Sequence, residues 1–138
     1  MSRERRGLWT LPIVAGGVIA TSLLTATPAL ADGQACFPRA CSSSPAAGAR
    51  WEDHGDMFYV HDYKADGKGT IGIIEYHVPG EGWYGVGNRV FYNTKGSDGP
   101  PARFNLEVRE GVDIRYMTCL GKVASGYCSD WKYESNNG

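Results

Sequence analysis

Hydrophobic and polar positions alternate over much of the chain beyond Met57, and the period is short. In Arg103-Phe104-Asn105-Leu106-Glu107-Val108-Arg109, the side chains of Phe104, Leu106 and Val108 share one side and the polar residues take the other. A period of two is that of a half-buried β-strand, whose successive side chains point to opposite faces. The same reading makes Val112–Cys119 a strand, with Val112, Ile114 and Tyr116 on one face and Asp113 and Arg115 on the other. Phe58–Tyr63 and Thr70–Tyr76 are aromatic and β-branched and flank Asp66-Gly67, which predicts a hairpin. Arg89–Asn93, entered through the glycine-rich Trp83–Gly87, and Tyr127–Tyr133 complete the set. No 3.6-residue period follows the first 31 residues. The pattern predicts an all-β protein, a small antiparallel β-sandwich of 6–7 strands joined by glycine-rich turns.

The beginning of the chain is patterned differently. Arg3, Arg5 and Arg6 precede an apolar stretch from Leu8 to Leu24, and Ala29-Leu30-Ala31 closes it. A basic head, an apolar middle and an A-x-A site make residues 1–31 a secretory signal peptide, so the protein is expected to be secreted and extracellular, with no membrane association once the signal is removed. From Asp32 to about residue 56 no period is visible. Ser42-Ser43-Ser44-Pro45-Ala46-Ala47-Gly48-Ala49 reads as a flexible spacer, and residues 32–56 as an extended N-terminal arm. Residues 57–138 form the sandwich domain.

Export changes the meaning of the cysteines. Cys36, Cys41, Cys119 and Cys128 all survive cleavage, and an even count outside the cell implies disulfides. Three pairings are possible in principle; the spacing favours Cys36–Cys41 and Cys119–Cys128, because each closes a local ring. In the chain-entropy model each ring contributes about 2–3 kcal/mol. A structural zinc site would need two matched C-x2-4-C pairs, which the chain lacks. The net charge of −1 has no basic stripe for phosphates, so nucleic acid is not an expected partner.

Little in the chain asks for catalysis. Asp62, Lys64 and Asp66 faintly resemble a calcium loop, but a lysine at the third position would repel the cation, and a turn is the expected use. His54, His61 and His77 show no metal-ligand spacing. There is no G-x-S-x-G elbow and no free cysteine is expected. Glu75, Glu107 and Glu110 read as a solvated sheet surface. No catalytic residues, metal or cofactors are therefore expected. Of the aromatic residues Trp51, Trp83 and Trp131, Trp83 is the expected exposed one and a possible binding-surface aromatic.

The ring is the chemistry that remains. Cys36-Phe37-Pro38-Arg39-Ala40-Cys41 restrains a peptide with a cation at its apex. Restraint lowers the ordering cost of binding, and a guanidinium presents a planar fork of donors to a carboxylate. An acidic pocket of the trypsin type is one receptacle for such a side chain. Cys36, Phe37, Pro38, Arg39, Ala40 and Cys41 are the candidate partner-binding residues.

Taken together, the export signal, this ring, the strand opening Gly55-Asp56-Met57-Phe58-Tyr59-Val60, the Ala65-Asp66-Gly67 turn and the Cys119–Cys128 pair before Ser129-Asp130-Trp131 resemble a known family. It is that of the small secreted adaptor subunits of the umbrella toxin particles of filamentous actinobacteria. The resemblance spans nearly the whole chain and implies a non-enzymatic β-domain. It would link a large toxin-bearing repeat protein to a lectin subunit, with its N-terminal segment inserted into that subunit's trypsin-like domain. On this resemblance Arg39 is the anchor and Pro38 sets its approach. Two alternatives use the same residues differently. A serine-protease inhibitor would present Arg39, and a small carbohydrate-binding module would use exposed tryptophans.

Overall fold

A computed structural model describes residues 33–138; the expected signal peptide lies outside the described residues. The described residues form eight strands: β1 (Gln34–Phe37), β2 (Ala47–Glu52), β3 (Met57–Asp62), β4 (Thr70–Val78), β5 (Gly82–Asn93), β6 (Ala102–Asn105), β7 (Asp113–Leu120) and β8 (Lys132–Ser135). They make two antiparallel four-stranded sheets, ordered β1-β2-β3-β6 and β5-β4-β7-β8. The fold is the expected all-β sandwich, one strand larger than the pattern predicts.

Alternation fixes which residues meet between the sheets. Ala49, Trp51, Phe58 and Val60 point inward from the first sheet, and Ile74, Ile114 and Tyr116 from the second. Phe58 packs edge-on against Phe91 and Tyr116, with ring centroids 5.8 and 6.0 Å apart. The sheets close tightly only because Gly72 has no side chain. A Cβ there would lie 2.5 Å from a Val60 methyl carbon and 2.7 Å from the Phe58 ring. Gly72→Ala is expected to lower stability by about 2 kcal/mol through overpacking, read as a shift in the urea midpoint.

Three local expectations are corrected. Residues 34–52, expected as an extended arm, supply β1 and β2. The end of the supposed spacer, from Ala47, is the start of β2, with Ala46, Ala47 and Ala49 buried, while Ser42, Ser43 and Ser44 stay exposed before it. Small residues give no periodic signal, yet they suit a strand whose outer side is covered: Tyr63 and Gln34 lie directly over Gly48. Nor do β3 and β4 form a hairpin. β3 pairs with β2 and β6, and β4 with β5 and β7. The turn chemistry is present, since Asp62 and Asp66 accept bonds from the amides of Lys64 and Lys68. It carries the chain from one sheet to the other. Finally, the run 103–109 is a strand only as far as Asn105. Beyond it Leu106 and Val108 remain buried, while the buried Asn136 donates to the carbonyls of Val108 and Arg109 in place of a strand partner.

Candidate functional site

β1 and β2 are neighbours in sequence and pair from Gln34↔Arg50 to Phe37↔Ala47, so the ring caps the first hairpin. Cys36 and Cys41 are bonded to each other, as are Cys119 and Cys128. Alternation along β1 turns Ala35 into the core and Phe37 onto Ala46, Ala47 and Leu120, which roots the ring in the sandwich. The Phe37 carbonyl accepts the Ala46 amide at 2.8 Å, and the Ala40 carbonyl accepts the Ser43 amide at 2.9 Å. Pro38, Arg39 and Ala40 are left exposed at the apex. The ion pairs among the described residues join Arg50 to Glu52 and Glu75 to Arg89 and Arg115, and none involves Arg39. The ring is therefore mounted on the sheet itself, held on one side by main-chain bonds and on the other by Phe37. A groove of about 460 Å³ separates it from Cys128–Lys132, so Trp131 and Asp130 face the ring across it.

The outer face of the second sheet holds a cluster the sequence hides. Glu75 is only 4% exposed although it sits on an outer face. Arg89 Nε and Nη2 both lie 2.7 Å from its Oε1, and Arg115 reaches Oε2 with Nε at 2.8 Å and Nη2 at 2.6 Å. Two cations thus clamp one buried carboxylate, an arrangement strong in electrostatics once water is excluded. The Arg115 guanidinium also lies 4.4 Å from the Trp83 ring and 4.3 Å from the Trp131 ring. Trp83 is flanked by His77 and Tyr133 as well. It is half-buried in this cluster, not the open platform expected of it. Alternation alone places Glu75 outward; the signal that could have found the cluster is its cross-strand position between Gly85 and Arg115, which only the register reveals.

The remaining sequence candidates stay apart. His61 stacks between Tyr59 and Tyr63 along β3, and burial, followed by the nearby Arg50, pushes its imidazole below the ordinary value. His77 lies against Trp83 on the other sheet, and His54 is exposed in a turn. Among the described residues no three His, Cys, Asp or Glu side chains are grouped to hold a metal. Comparison with models of known protein families, with curated proteins and with solved structures returns no match for this chain.

Proposed function

We propose that this protein is a secreted, non-enzymatic adaptor that docks Arg39 into the acidic cleft of a trypsin-like domain on a lectin-like subunit. In the same reading it joins that subunit to a large toxin-bearing repeat protein in an antibacterial complex. The observation that supports this reading is the exposed Pro38-Arg39-Ala40 apex of a ring braced by a disulfide and by the β1–β2 hairpin. A ligand already held in shape loses less freedom on binding. The fork of the guanidinium suits a buried carboxylate better than a lysine would. Two disulfide bonds agree with life outside the cell.

The mature chain, immobilised and passed through the culture fluid of the producing cells, is expected to retain a trypsin-like lectin subunit and a repeat protein, identified by mass spectrometry. Recovery of neither removes the proposal. Titration against active trypsin separates the inhibitor reading, because an inhibitor abolishes activity stoichiometrically. Replacing both Cys36 and Cys41 by serine is expected to weaken this capture about tenfold by releasing the apex. Since the ring belongs to the first hairpin, the same change is expected to lower stability by about 2 kcal/mol, measured by chemical denaturation.

A further inference from the structure

A stable interface between two proteins covers about 800 Å² of each, spread over about 20–30 residues. The ring closed by Cys36 and Cys41 has far fewer, so a partner that holds it must also cover surface continuous with it. Alternation turns Ala35, Ala49, Phe58, Val60 and Ala102 into the core, which leaves Gln34, Arg50, Tyr59, His61 and Arg103 on the outer face of the first sheet. Gln34, Arg50, Tyr59 and Arg103 form one cross-strand row, supplied in turn by β1, β2, β3 and β6. Contacts lead to this row from the ring. The Cys41 sulfur lies 3.5 Å from the Gln34 carbonyl oxygen, and the Gln34 side-chain amide donates to the Tyr63 hydroxyl. Tyr63 stacks on His61 with ring centroids 5.3 Å apart, and His61 on Tyr59 at 6.4 Å.

The row is basic. The Arg50 guanidinium lies 4.2 Å from the centre of the Tyr59 ring and that of Arg103 5.7 Å. On these four strands the outward positions hold one carboxylate, Glu52, which reaches only Arg50, at 3.5 Å. Arg103 is exposed and enters none of the ion pairs among the described residues. An arginine laid over an aromatic ring has less freedom left to lose on binding, and tyrosine and arginine are the side chains enriched in interface hot spots. The outer face of the second sheet is less suited to an acidic partner, because Glu75 already takes up Arg89 and Arg115 there. We propose that the subunit receiving Arg39 also covers the outer face of the first sheet, laying a carboxylate-bearing surface against Arg103, Arg50, Tyr59 and Tyr63. The ring is then the deep anchor, and the sheet is the broad contact that orients it. This assignment rests on the adaptor reading, yet its failure is separable from that of the ring.

Capture of the trypsin-like subunit by the immobilised mature chain is compared for the wild type, Arg39→Ala, Arg103→Ala and Arg103→Glu. Arg103→Glu is expected to weaken capture about tenfold, mainly by slowing association, and Arg103→Ala by less. The gap from the wild type should narrow in about 0.5 M sodium chloride, where exposed charges are screened. Melting temperatures should agree, because Arg103 is exposed and outside the ion pairs of the described residues. Hydroxyl-radical footprinting gives a second readout that needs no variant. Tyr63, 43% exposed in the free chain, should be protected in the complex of the two proteins. Tyr92 and Tyr133, each 58% exposed and on the second sheet, should stay reactive. Where Arg39→Ala weakens capture, undiminished capture by Arg103→Glu or an unprotected Tyr63 overturns this inference and leaves the ring reading standing. Weakened capture by Arg103→Glu with Tyr63 protected, but no loss in Arg39→Ala, keeps the face as an interface and removes the ring reading. Protection of Tyr63 on concentrating the chain alone would assign the face to a second copy and overturn the inference. A wild-type chain that captures no trypsin-like subunit overturns both.

Discussion

Replacing Glu75 by alanine is expected to destabilise the fold by about 3–5 kcal/mol, the range for removing one member of a buried ion pair. Arg89 and Arg115 would both lose their carboxylate. Their side chains differ in exposure, at 51% and 21% respectively. Arg89 can turn to water, so the loss should fall near the lower end of the range; most of it comes from Arg115, which is enclosed between Trp83 and Trp131. Arg89→Ala should accordingly cost about 1 kcal/mol or less; alanine keeps a Cβ, so the positive φ of 64° at that position is as strained as before. Guanidinium denaturation of the three single variants measures the order. Equal losses for Arg89→Ala and Arg115→Ala would show that the tryptophan enclosure contributes nothing. Tryptophan fluorescence should change with Arg115→Ala and hardly at all with Arg89→Ala.

The second large effect concerns docking rather than folding. Arg39→Ala is expected to weaken capture of the partner by about 2 kcal/mol or more, the threshold of an interface hot spot, which is roughly a 30-fold loss of affinity. Its stability should be unchanged, because Arg39 is exposed and takes no part in the ion pairs of the described residues. Arg39→Lys should recover only part of the loss, since an ammonium cannot reproduce a planar fork. Binding by calorimetry and melting by fluorescence, on the same preparations, separate the two quantities. A lowered melting temperature in Arg39→Ala would place the side chain in the fold instead of the interface.

The sequence reveals the parts of this molecule that repeat every second residue. Phe58 and Val60, or Ile114 and Tyr116, announce their faces by alternation, and both disulfides follow from local spacing. What it hides has physical causes. Ala46, Ala47 and Ala49 carry too little hydrophobic contrast to show a period, so a buried strand reads as a spacer. Asp66-Gly67 encodes a turn but not the partner of the strands on either side, and sheet membership is a long-range property. Glu75 obeys the alternation, yet it is buried and clamped by two arginines from neighbouring strands, one of which lies against Trp83 and Trp131. The apex of the ring is legible because it depends on six consecutive residues. Its mounting is not, because Leu120 reaches Phe37 from the other sheet.

The most direct measurement of the docking reading is competition by a small amidinium. A trypsin-like subunit captured on the immobilised mature chain should be released by millimolar benzamidine, which occupies the acidic pocket proposed for Arg39. Sodium chloride at the same ionic strength should leave it bound. Release by salt and benzamidine alike, or by neither, would contradict insertion of Arg39 into such a pocket.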